Sequence, residues 1–91
     1  MLNYYYKDSI CSFLSKSVDQ VIGEITISNQ FDSNLNQNHS WVAEIHYLQK
    51  ALQGLEGTIF FEFSIPRMGK RVDALIIIEG VIFVVEFKVG E

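Results

Sequence analysis

Residues 69–90 read GKRVDALIIIEGVIFVVEFKVG, two apolar runs separated by Glu79-Gly80. β-Branched and aromatic residues dominate both runs, the composition of strands rather than helices. A loop of two residues joins antiparallel neighbours. With Glu79 and Gly80 as that loop, Ile78 faces Val81, and counting back along both strands sets Asp73 opposite Glu86. Directly opposed residues have β-carbons ~5 Å apart, where like charges are destabilising unless a cation lies between them. Lys88 lies two residues beyond Glu86, so it shares that face and is a diagonal neighbour of Asp73.

Working outward, the strand pattern begins at Thr58 and breaks only at residues 66–70 and 79–80. Strands are predicted over 58–65, 71–78 and 81–89, a three-stranded antiparallel meander. In the middle strand Val72, Ala74, Ile76 and Ile78 face one way and Leu75 and Ile77 the other. A sheet apolar on both sides needs cover on both. The last strand, if it ends the sheet, leaves Val85 and Phe87 on an edge open to pairing with another chain.

Two amphipathic helices precede the strands. Asp8 caps the first, over 9–24, whose apolar positions Ile10, Phe13, Leu14, Val18, Val21 and Ile22 recur at three- and four-residue steps. Cys11 falls on that apolar stripe. Residues 29–39, rich in Asn, Gln, Ser and Asp, are predicted to be a solvated loop. Ser40 caps the second helix, over 41–53, with Trp41, Ile45, Leu48 and Leu52 along its stripe and Gly54 at its end. Glu44 lies about 60° from the centre of that stripe, which sets its carboxylate at the rim of the core. The expected fold class is α/β (α+β), one domain over residues 1–91.

With 91 residues the core is small, and 48% hydrophobic against 20% charged residues is a folding composition. The formal charge of −4 argues against a molecule-wide field for nucleic acid. Arg67, Lys70 and Arg71 nevertheless crowd one turn just before Asp73, where a phosphate backbone would approach. The same charges also suit a merely solubilising turn. A single cysteine excludes an internal disulfide, and no apolar run approaches the ~18 residues of a membrane span. A cytoplasmic protein without membrane contact is expected.

Asp73 and Glu86 are suited to Mg²⁺ (or Mn²⁺), a hard cation that takes oxygen ligands and commonly uses one or two carboxylates. Lys88 is placed to orient a water or offset charge on a pentacovalent phosphoryl group. Glu44 is a candidate for a further oxygen ligand, or for holding a water there, if its helix packs near this face. On spacing alone, an acid followed by Glu-x-Lys is also what ordinary solvated strands carry, and Glu44 also suits a carboxylate at a helix N-terminus. Glu62 is read as a partnered strand acid, and His39 and His46 lack ligand spacing.

The order Glu44, Asp73, then Glu86-Phe87-Lys88 resembles the PD-(D/E)xK nuclease superfamily, whose core begins helix, strand, strand, strand. Ser40-Trp41, Phe61-Glu62-Phe63, Ile65-Pro66-Arg67, Gly69-Lys70-Arg71-Val72-Asp73 and Val85-Glu86-Phe87-Lys88-Val89-Gly90 are similar to a narrower group within it. That group is the nuclease-like N-terminal region found ahead of Schlafen-group superfamily 1 helicases in bacteria. The resemblance covers residues 4–91. It implies Mg²⁺-dependent phosphodiester hydrolysis of nucleic acid, DNA ahead of RNA. Asp73 and Glu86 are then metal ligands, Lys88 the catalytic lysine and Glu44 the helix-borne acid. Val72 stands where the superfamily's name has proline. The superfamily's later helix and fourth strand have no counterpart before Glu91, so weak or undetectable cleavage is expected of the isolated chain. The alternative is a catalytically inactive nuclease-fold fragment that binds nucleic acid or protein, through a homodimer or a partner chain carrying the missing segment.

Overall fold

A computed structural model describes residues 3–32 and 41–88 of the chain. Its elements run β1 (Tyr6–Ser9), α1 (Ile10–Ser15), α2 (Val18–Asp32), α3 (Trp41–Ala51), β2 (Thr58–Ile65), β3 (Lys70–Ile78) and β4 (Val81–Val85). Among the described residues the class is α+β, with three helices and a four-stranded antiparallel sheet in the order β1-β2-β3-β4. The meander predicted over 58–89 is therefore the larger part of the sheet and not the whole of it.

The fourth strand comes from the N-terminus. Tyr6 to Ser9 pair with Phe61 to Thr58, and the Tyr5 N–H donates to the Phe61 carbonyl at 3.0 Å. Consecutive tyrosines favour a pleated, half-covered surface, and here they supply one. Tyr5 and Tyr6 are both buried.

The apolar spacing predicts one helix over 9–24, and two form. The N-cap is Ser9, not Asp8: its Oγ accepts the Ser12 N–H at 3.1 Å. The chain then turns extended at Lys16, and Ser17 opens α2 with a reciprocal cap. Ser17 Oγ accepts the Gln20 N–H at 3.1 Å, while Gln20 Oε1 accepts the Ser17 N–H at 3.2 Å. Such a capping box starts a helix wherever the chain can bend to admit it. The carbonyls stranded at the end of α1 are met from α3, where Gln49 Nε2 donates to Phe13 and Lys16 oxygens, each at 2.9 Å. Helix α2 runs to Asp32, into part of the stretch expected as loop, with Asn29 buried. Residues 33–39 and the expected cap Ser40 lie outside the described residues.

The break also aims Lys16 back at β1. Its Nζ lies 3.0 Å from both Asp8 and Glu24, and the Tyr6 hydroxyl donates to Asp8 at 2.7 Å. Burial first, then Asp8, pushes the Tyr6 phenol well above its ordinary range. Burial would raise the Asp8 carboxyl, but hydrogen bonds from Tyr6, Lys16 and Ser12 outweigh it and hold the group below its usual value.

All three helices share one core with one face of the sheet, in which Ile10, Phe13, Val21, Ile25, Ile45 and Leu48 meet Ile59, Phe61, Ala74 and Ile76. Helix α3 ends at Ala51, two residues short of the predicted 53, and Gly54 follows at φ +81. Cys11, expected on the apolar stripe, is exposed. No helix among the described residues is long and apolar enough to cross a membrane.

Candidate functional site

The β3–β4 register is the one counted from the two-residue loop. Ile78 pairs with Val81, and the ladder continues without slip to Ala74 and Val85. It stops there, one pair short of Asp73 and Glu86, so β4 is shorter than the predicted 81–89. Asp73 itself explains the stop. Its Oδ2 accepts the Phe87 N–H at 2.8 Å, taking a bond that a backbone carbonyl would take in a continuing ladder. The aspartate is thereby held against the backbone between Glu86 and Lys88.

Phe87 packs against the core and its ring meets Tyr47 of α3 edge-on at 5.8 Å. The flanking Glu86 and Lys88 are exposed. Val85 also packs against the core, so the edge expected at Val85 and Phe87 lies instead at Val81, Ile82, Phe83 and Val84, all about half exposed.

Glu44 is not at the rim of the core. It is 2% exposed, in the first turn of α3 and three residues on from Trp41. Trp41, buried as expected, adds a polar function, since its Nε1 donates to Glu62 Oε2 at 3.2 Å. Glu62 faces Asp73 electrostatically. Burial raises its carboxyl above the ordinary 4.5, the Trp41 hydrogen bond lowers it, and the Asp73 charge raises it again. Trp41 of α3 is thus joined to Glu62, and Asp73 to the Glu86-Phe87-Lys88 segment, by separate hydrogen bonds.

Glu62, Trp41 and the Phe87 amide were not legible as site components. The available signal was that Glu62 is the single charged residue in the strand TIFFEFSI, flanked by phenylalanine on both sides. Of the basic turn, Arg67 and Lys70 are exposed, while Arg71 is turned inward. Its guanidinium lies 4.5 Å over the Tyr5 ring and donates to the Glu62 carbonyl at 2.6 Å. His46 is exposed, and His39 lies outside the described residues.

Among the described residues no group of three or more His, Cys, Asp and Glu side chains is placed to hold a metal ion. Asp73 on β3 and Glu86 just beyond β4 carry hard oxygen donors, the type that Mg²⁺ or Mn²⁺ takes. Comparison with protein-family models, with curated proteins and with solved structures finds no match to this chain.

The Glu62 shift carries a pH prediction. Its carboxyl binds a proton more readily in the folded than in the unfolded chain, so stability falls as pH rises from the ordinary 4.5 through the folded value. Glu62→Gln keeps an oxygen for the Trp41 N–H and removes the charge. The variant should therefore unfold at higher temperature than the wild type at pH 7, with the difference closing below pH ~4. Parallel melting curves at both pH values would contradict this.

Proposed function

We propose that this chain is a divalent-metal-dependent nuclease domain of the PD-(D/E)xK type, cleaving phosphodiester bonds in nucleic acid, DNA ahead of RNA. The observation that carries the reading is the 2.8 Å hydrogen bond from the Phe87 N–H to Asp73 Oδ2, which joins the aspartate to the Glu-x-Lys segment. Asp73 and Glu86 would hold the metal. When bound, Mg²⁺ supplies positive charge to a phosphoryl oxygen and acidifies a coordinated water.

The protein's own groups do the rest. The exposed Lys88 ammonium orients the attacking water and offsets charge as the phosphorus becomes five-coordinate. Arg67 and Lys70, exposed at the β2–β3 turn, position the phosphate backbone. Arg71 is spent on Tyr5 and Glu62, so its part is to shape the strand pair that carries Asp73. Glu44, deep at the start of α3, serves as the helix-borne acid that supports the carboxylates. The test is cleavage of single- and double-stranded DNA and of RNA in Mn²⁺. The expected result is a slow reaction that stops with chelator and is lost in Asp73→Asn. Cutting that survives Asp73→Asn, Glu86→Gln and Lys88→Ala together would belong to another site.

A second reading, an interaction module, is favoured by β4. This strand carries no charged residue, its four exposed positions are all apolar, and β3 is its one neighbour among the described residues. Natural edges are usually blunted by charge, proline or a bulge. The chain is expected to associate with itself as concentration rises, and Ile82→Lys or Val84→Lys should weaken that association. Sedimentation at two concentrations measures it; a monomer throughout, with β4 amides protected from exchange, would rule it out.

A further inference from the structure

In a regular strand, residues two apart share a face, so Phe63 should join Phe61 in the core and Glu62 should point away from it. The contacts are the reverse. The Phe63 ring meets Phe60 at 5.2 Å, and Phe60 in turn meets Tyr4 at 5.4 Å. Glu62 reaches Trp41, a core residue of α3. Where the chain enters β1, Tyr5 and Tyr6 are adjacent in sequence and both lie in the core. The cause is at Glu62, whose φ of +55 is the left-handed conformation that side chains other than glycine, asparagine and aspartate seldom adopt. The pairs Phe61 with Ala74 and Phe63 with Val72 continue on either side of it in one register, with no pair at Glu62 itself.

We propose that Glu62 is a positioning residue for Asp73: its left-handed backbone interrupts the β2–β3 pairing between Phe61–Ala74 and Phe63–Val72, the interval in which Asp73 lies on β3, and thereby aims the aspartate at the Phe87 amide. The functional weight of this rests on the reading of Asp73 as a metal ligand. Arg71 clamps the turned peptide by donating to the Glu62 carbonyl at 2.6 Å while lying over Tyr5. Trp41 fixes the side chain from the other end at 3.2 Å. A strained conformation persists only where its surroundings hold it, and here two side chains from different elements do so.

The test separates backbone from carboxylate. Glu62→Gly keeps the left-handed conformation and loses the carboxylate; Glu62→Val keeps a side chain and resists positive φ. Amide exchange of Phe87, referenced to Leu75 in the middle of β3, reads the Asp73 contact directly. Glu62→Val should speed Phe87 exchange about tenfold or more relative to Leu75, while Glu62→Gly stays within about threefold of wild type. Unchanged Phe87 exchange in a folded Glu62→Val would overturn the proposal, as would a Glu62→Gly that exchanges as fast as Glu62→Val. Should Glu62→Val not fold, Arg71→Met takes its place with the same expectation, because it removes the clamp on the same carbonyl. Calorimetric titration of the wild type with Mn²⁺ is the separate arm: no binding there would sink the metal-site reading and leave the exchange result standing.

Discussion

Lys88→Ala is expected to lower metal-dependent phosphodiester cleavage about a hundredfold or more while leaving stabilisation by Mn²⁺ in place. The separation follows from what an ammonium is. It has three donors and no lone pair at neutral pH, so it cannot be a metal ligand, and its loss leaves the carboxylates untouched. Lys88 is exposed and lies next to Phe87, whose amide is bound to Asp73, so removing its side chain withdraws no buried contact. On the proposed mechanism, what disappears is a charge that offsets the reacting phosphate's, needed more in the transition state than in the ground state. Single-turnover cleavage should therefore slow, with little change in nucleic-acid affinity. Undiminished cleavage in Lys88→Ala would remove the lysine from the mechanism.

Gly57→Ala is expected to destabilise the fold by about 3 kcal/mol or more, the largest effect among substitutions outside the site. Gly57 has φ +156 and lies just before β2, at the point where three segments meet. Its carbonyl accepts the Ile10 N–H at 2.9 Å, tying it to the start of α1. A Cβ added there would run into the Ile77 carbonyl oxygen of β3, and Ile77 is locked by pairing with Thr58 on one side and Ile82 on the other. A flexible side chain could move aside; a paired backbone oxygen cannot without breaking the ladder. Gly54→Ala makes a matched control, since a Cβ there meets nothing within 4 Å, although φ +81 still carries strain. Urea unfolding of the two variants should show the larger loss at Gly57, and equal losses would refute the steric argument.

The parts of the fold that were readable are those governed by local chemistry. The two residues Glu79-Gly80 determine the β3–β4 register, and the run of strand-forming residues bounded by the break at Pro66 identifies β2 to its ends, Thr58 and Ile65. The misses have two kinds of cause, one local and one tertiary. Ser17-x-x-Gln20 is a capping box that ends one helix by starting another, yet the apolar spacing runs through it undisturbed. Tyr6 to Ser9 is a strand only because Phe61 to Thr58 present an open edge, which is a tertiary circumstance.

Around the candidate site, alternation failed for one identifiable reason. Glu62 is left-handed, and nothing in residue type announces positive φ there as a glycine would. That same conformation explains why Trp41 proved to be a hydrogen-bond donor as well as core. Glu44 lies deeper than its wheel position implies, because a helical wheel gives direction and not the height of what packs above it.

Thermal unfolding with and without millimolar Mn²⁺ tests the central claim most directly, in the wild type, Asp73→Asn and Glu86→Gln. Both variants lose a negative charge and keep the side chain's shape. The amide introduced by Asp73→Asn retains an oxygen for the Phe87 N–H, so that contact is kept while a proposed ligand of the cation is removed. A metal that binds only the folded chain stabilises it by about 2.7 kcal/mol at a hundred times its Kd. The account predicts an upward shift of the wild-type transition that vanishes in either variant. A wild-type transition that Mn²⁺ does not move, or a shift that persists in both Asp73→Asn and Glu86→Gln, would contradict it.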